Sequence, residues 1–145
     1  MPFYLIDPEV PGGLGDRTEL TPRPDAYPIV NHVHFEFEYG AQGNDLITSH
    51  PVYLVTPPLA DALGRSRLSG FVISADVDVT VDENVAELDP EWQPPDLRWL
   101  QVTGDPGRDD FGLTTDARLV ASSDALEVLR QFNIDDCDVS AIELP

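Results

Sequence analysis

The side chains in this sequence that can do chemistry are few. Histidine stands only at 32, 34 and 50, cysteine only at 137, and lysine nowhere. His32 and His34 fall in an alternating run, Ile29–Tyr39, in which Val33, Phe35, Phe37 and Tyr39 take one parity and His32, His34, Glu36 and Glu38 the other. On a strand, residues i and i+2 share a face about 7 Å apart. Two imidazoles and a carboxylate so placed can hold a divalent metal, with His50 as a third imidazole. That arrangement gives one reading, a metal-dependent enzyme or sensor using His32, His34 and Glu36. The plainer reading is a polar strand face exposed to solvent.

The His-x-His spacing is similar to that of cupin barrels, but the glycines that frame their motif and its downstream histidine are missing. Asp109 and Asp110, with Asp105 and Asp116 on either side, offer a calcium-like group of oxygens without the Asp-x-Asp-x-Asp-Gly register of an EF-hand loop. Ordinary solvated loop carboxylates are the alternative. The Asp110-Phe111-Gly112 triplet has no glycine-rich loop and no lysine to accompany it, which excludes a protein kinase. No nucleophile elbow, phosphate loop or His-Glu-x-x-His is present. Cys137 lies among Asp135, Asp136 and Asp138, anions that suppress the thiolate a nucleophile needs. No catalytic residue, metal site or cofactor is assigned.

Charge is the strongest signal: 27 acidic residues against 8 basic ones, all arginine, for a net charge of −19. Such a field repels nucleic acid and anionic membranes and speeds encounter with basic partners. The same composition also suits a salt-adapted organism or a GC-rich genome. Asp76 and Asp78 share one face of an alternating stretch that Asp82 prolongs, and they are costly neighbours unless solvated or met by cations. With Glu36 and Glu38, and the Asp109-Asp110 loop, they make the candidate partner-binding surface.

The elements that must position these groups are read from periodicity. Strands are expected at Phe3–Ile6, Ile29–Tyr39, Pro51–Val55, Gly70–Val81, Leu97–Thr103, Leu119–Ala121 and Asp138–Leu144. Turns or loops are expected at Gly40–Asp45, Asp89–Pro95 and Gly104–Gly112. Pro8–Pro28, with five prolines and three glycines, reads as a surface loop or arm. Thr56-Pro57-Pro58 opens a first helix, bearing Leu59, Ala62 and Leu63 and stopping at Gly64. Ser122 caps a second, whose Ala125, Val128, Leu129 and Phe132 follow the helical period. Residues 1–145 therefore form one α+β domain, a mixed or mainly antiparallel sheet of about six strands with two short helices on one face. At this length no disulfide is needed, and a lone cysteine fits a reducing compartment. The opening residues carry no secretory pattern, so a cytoplasmic location is expected.

Val52–Ala75 and Arg118–Ala141 align without gaps at an offset of 66 residues. Thr56 falls on Ser122, Leu63 on Leu129, and Ile73-Ser74-Ala75 on Val139-Ser140-Ala141. An internal repeat and a chance likeness of two strand–helix–strand units both account for this pattern.

The order of motifs also points outward. His50-Pro51-Val52-Tyr53 leads into the first helix, and Leu68-Ser69-Gly70-Phe71 into a strand. Arg98–Gly104 precedes Asp109-Asp110-Phe111, and Leu119-Val120-Ala121-Ser122-Ser123-Asp124-Ala125-Leu126-Glu127-Val128-Leu129 follows. Over Pro51–Leu144 this resembles a family of small proteins, mostly myxobacterial, grouped with the immunity proteins of polymorphic toxin systems. The chain lacks the cysteine pairs that some relatives carry near the N-terminus. The resemblance implies a cytosolic antidote without enzymatic activity that binds one cognate toxin domain. Because toxin domains that attack nucleic acid are often basic, the acidic surface would be the contact. An acidic nucleic-acid mimic, with carboxylates spaced like phosphates, is the other reading of the same charge.

Overall fold

The computed structural model describes residues 2–38 and 43–144. Along them lie β1 (Phe3–Asp7), β2 (Gly12–Leu14), β3 (Glu19–Arg23), β4 (Ala26–Phe37), β5 (Leu46–Ser49), β6 (Val52–Val55) and α1 (Pro57–Arg65). Then come β7 (Phe71–Ser74), β8 (Val77–Val81), α2 (Glu83–Leu88), β9 (Arg98–Val102), β10 (Phe111–Leu113), β11 (Leu119–Ser122), α3 (Ser123–Leu129) and β12 (Asp138–Ile142). Tyr39 and the first residues of the expected Gly40–Asp45 turn lie outside the described residues.

The likeness between Val52–Ala75 and Arg118–Ala141 is architectural. One sheet runs β5-β6-β9-β7 and another β10-β11-β1-β12, antiparallel throughout. Each begins with a hairpin, continues through a helix, and returns a strand parallel to the second hairpin strand with one antiparallel strand between them. In the first unit that inserted strand is β9, in the second β1. The register coincides as well. Tyr53, Leu100 and Ile73 form one cross-strand row, and Leu119, Ile6 and Val139, each at the 66-residue offset where one exists, form the other. Leu100 and Ile6, central in their rows, are buried.

A single core joins the two units. Leu59, Ala60 and Leu63 of α1 meet Ala125, Leu126 and Leu129 of α3, together with Ile6, Leu46, Tyr53, Val55, Phe111 and Leu119 from the two sheets. Burying each such Leu or Ile side chain stabilises the fold by about 1.5–3 kcal/mol. The β5-β6-β9-β7 sheet is apolar on its other face too, because it also supports a third sheet. Ile47, Val52, Leu54 and Trp99 from that face pack against Val33, Phe35 and Phe37 of β4. Phe37 meets Phe35 and Trp92 edge-on, with centroids 4.9 and 5.4 Å apart.

The third sheet has β4 at its centre. β2 and β3 run along one edge and β8, in parallel, along the other. The α+β class holds, with most of the chain in sheet. The strand number and the layering do not match the expectation of about six strands in one sheet with two helices on one face. Twelve strands in three sheets and three helices are present among the described residues, and α1 and α3 lie in the core shared by two of the sheets.

Three local differences have physical causes. Pro8–Pro28 is not a loop: it supplies β2, β3 and the start of β4, joined by a turn at Pro24-Asp25. Pro22 is tolerated because β3 is an exposed edge strand. The expected single strand Gly70–Val81 is broken, since the Asp76 N–H donates to Ser74 Oγ at 3.1 Å and turns the chain. β7 then stays with β9 while β8 crosses to β4. The first helix runs past Gly64 to Arg65, where Ser66 caps it by donating its N–H and Oγ–H to Leu63 O.

Candidate functional site

The pairing of β4 with β8 brings the expected acidic strands together. His34 lies opposite Asp78 and Glu36 opposite Thr80, so His32, His34, Glu36, Asp76, Asp78 and Thr80 share one sheet face. The opposite face, with Val33, Phe35, Val77 and Val79, is the core side. Alternation dictates this division: a shift of one residue in either strand would place carboxylates against Trp99 and Leu54.

The two histidines of this face do different things. His32 stands between two carboxylates, its Nδ1 3.1 Å from Asp76 Oδ2 and its Nε2 2.8 Å from Asp78 Oδ2. A carboxylate at each ring nitrogen favours the imidazolium form, in which both donate. The hydrogen bond to Asp78, then that to Asp76, holds the His32 pKa above its usual value. The same bond, helped by Arg17 with its Nε 3.8 Å away, holds the Asp78 carboxyl below the usual carboxylate range. His34 is buried. Its Nδ1 accepts the Arg17 N–H at 3.2 Å, so the ring proton sits on Nε2 and is donated to Thr80 Oγ1 at 2.7 Å. Gly15 lies flat against this ring, where a Cβ would come within 2.1 Å of Nδ1.

Every ring nitrogen of His32 and His34 thus has a protein partner. His50 is elsewhere, in the β5–β6 turn, donating Nε2–H to Asp116 O at 2.8 Å. Among the described residues no three His, Cys, Asp or Glu side chains converge as ligands for one metal ion.

The remaining expected contact residues separate. Glu36 is half-buried on the same strand as His32, and Glu38 is exposed just past the end of that strand. Asp82 caps α2, its Oδ1 accepting the Asn84 N–H at 2.8 Å. Asp109 and Asp110 belong to a different sheet, just before β10. Asp109 accepts the Asp105 N–H at 2.9 Å. Asp110 joins two elements, accepting from Ser122 Oγ at 2.7 Å and from the Ser69 N–H at 2.9 Å. Its role is internal.

Cys137 is packed against the core between the units. Burial, first, and then the nearby Asp136 and Asp138 push its thiol up to about 12. Tyr53 is likewise pushed up to about 12 by burial, and its hydroxyl donates to Ala117 O at 2.9 Å. Neither group is poised for nucleophilic or acid–base work at neutral pH.

A cleft that sequence reasoning missed lies at the end of the β3–β4 hairpin. It has a volume of about 390 Å³ and is bounded by Tyr27–Val30 on one side and by Trp99–Val102 and Leu113–Thr115 on the other. Tyr27 and Ile29 stand exposed at its border. No helix of the described residues is long and apolar enough to cross a membrane. No family model, no curated protein and no solved structure matches this chain.

Proposed function

We propose that the chain is a cytosolic immunity protein that binds and neutralises a basic toxin domain. The observation that carries this reading is the β4–β8 register, which gathers Glu36, Asp76 and Asp78 on one sheet face of a protein with net charge −19. The motif order over Pro51–Leu144 adds the family expectation. A basic domain approaching this face meets a field that raises its encounter rate, and carboxylates fixed on strands lose little freedom on contact. Asp76 and Asp78 are held in place by His32, so their oxygens are already oriented, while Glu36 and Glu38 extend the face. Inhibition then follows from occlusion, with no bond made or broken.

The test is co-purification at low salt with the product of the neighbouring gene, followed by association kinetics. The expected result is a basic partner whose association rate falls about tenfold or more as ionic strength rises from low to physiological values. Glu36→Gln with Glu38→Gln should slow association further while leaving dissociation nearly unchanged. A neighbouring gene for an unrelated metabolic enzyme, with nothing basic recovered, would sink the reading.

A further inference from the structure

We propose that the cleft beside β4 receives an extended, positively charged segment of a partner protein, added as a strand to the free edge of β4. Four observations meet there. First, β4 is paired on one edge only over its first half. β2 and β3 follow each other along the same edge, the Gly15 N–H to His34 O bond of 2.7 Å carrying the pairing from one to the other. On the opposite edge β8 begins only at Val77, opposite Val33. Ala26–Asn31 therefore has no paired strand on that side among the described residues, and apart from Pro28, which has no N–H to give, such an edge is a template for another strand.

Second, the cleft of about 390 Å³ lies next to this stretch, lined by Tyr27–Val30 and by Trp99 and Val102 across from them. Third, Ile29 is 47% exposed, and Tyr27, whose ring meets that of His50 edge-on at 4.9 Å, still leaves 38% of its surface open at the same place. Strand side chains alternate, so an added strand directs every second residue to one face, where an aliphatic or aromatic side chain fits the cleft.

Fourth, the charge at the mouth selects the occupant. The cleft opens into a shallow depression bordered by Asp25 and Asp116. Thr114 Oγ1 donates to the Asp116 carboxylate and holds it ionised. Arg23 is the one cation lining the cleft, and its Nε is engaged with Tyr27 O at 2.6 Å. The fitting segment alternates apolar and polar residues and carries Lys or Arg at its ends.

This deepens the binding-protein reading and rests on it, but the two are tested separately. The probe is an array of short extended peptides with aliphatic or aromatic residues at alternate positions, flanked by arginine or by glutamate. Each is titrated into the intact protein with the backbone and indole signals observed by NMR. Arginine-flanked members should bind, shifting the signals of Tyr27–His32 and Trp99. N-methylation of alternate peptide nitrogens, which removes ladder donors, should weaken them about tenfold or more, as should Ile29→Asp. Leu88→Asp, an exposed apolar residue on α2, should change nothing.

The proposal is overturned if no member binds, if glutamate flanks serve as well, or if N-methylated peptides bind equally. It is also overturned if sedimentation shows a dimer that Ile29→Asp dissolves, since a second copy then covers the edge. A basic partner that co-purifies but is indifferent to Ile29→Asp would remove the cleft and leave the proposed function standing.

Discussion

Asp45 and Asp110 occupy the same place in the two halves of the molecule. Each immediately precedes the first strand of its hairpin, and each backbone carbonyl accepts from the N-cap residue of its own helix, Thr56 at 3.0 Å and Ser122 at 2.8 Å. Each carboxylate accepts from that residue's hydroxyl, at 2.5 and 2.7 Å, and from a backbone N–H after the other unit's helix, Asn133 and Ser69, at 2.8 and 2.9 Å. The two aspartates clasp the units reciprocally. Asp45→Ala and Asp110→Ala should therefore each destabilise by about 1–3 kcal/mol, leaving the same two kinds of donor without a partner. Asp109→Ala, which removes one bond within its own turn, should cost about 1 kcal/mol or less. Urea unfolding of the three variants checks the order, and an Asp110 variant no weaker than the Asp109 one would contradict the clasp.

Two glycines, one beside the second clasp and one in α1, make a prediction of sign. Gly70 has φ +96°, and a Cβ there would lie 2.1 Å from Phe111 O. Gly70→Ala should destabilise by about 2–4 kcal/mol, combining left-handed strain with a clash against backbone. Gly64 sits in α1 with nothing within 4 Å of an added Cβ. Gly64→Ala should stabilise by about 0.5–1 kcal/mol. Thermal unfolding of the pair reads opposite shifts; equal shifts would mean that the junction yields.

How much of this was legible in the sequence depends on the length of each pattern. Helices α1 and α3, the β4 alternation and the 66-residue likeness were readable because apolar spacing is local, as in Ala125, Val128, Leu129 and Phe132; α2, which buries no residue, left no such stripe. The three-sheet layering was not, since nothing in Gly70–Val81 marks which sheet each half joins. Only the Ser74–Asp76 turn separates them. Strands β2 and β3 were hidden by proline, whose cost disappears on an edge, and β10 by its three-residue length. The acidic face was legible as a face, because Asp76 and Asp78 alternate with valines. That Asp110 is a clasp was not, because its partners, Ser69 and Ser122, are set by folding, and Asp82 read as a continuation of its strand because α2, which it caps, was not expected.

Cys137 supplies a chemical check on burial. A thiol pushed up to about 12 from 9.0 carries about a thousandfold less thiolate at neutral pH than an unperturbed one. A thiol-specific disulfide reagent should therefore react with the native protein at least about a hundredfold more slowly than with protein in denaturant. Comparable rates in the two states would show that β12 opens readily from the core.

The clasp of His32 sets a pH window. Its pKa is raised above 6.5, chiefly by Asp78, so its contribution to stability is fully present below 6.5 and is lost as pH rises through the folded value. The Asp78 pKa is lowered below 3.8, chiefly by His32, so its contribution is present above 3.8 and is lost as pH falls through the folded value. The two terms act together between 3.8 and 6.5. Unfolding free energy measured against pH should accordingly decline above 6.5 in the wild-type protein, and His32→Gln should remove that part of the decline. An NMR titration of the His32 ring should give a midpoint above 6.5 that falls in Asp78→Asn. If the midpoint stays where it was, Asp78 does not hold the imidazolium, and the oriented carboxylates attributed to the acidic face lose their support.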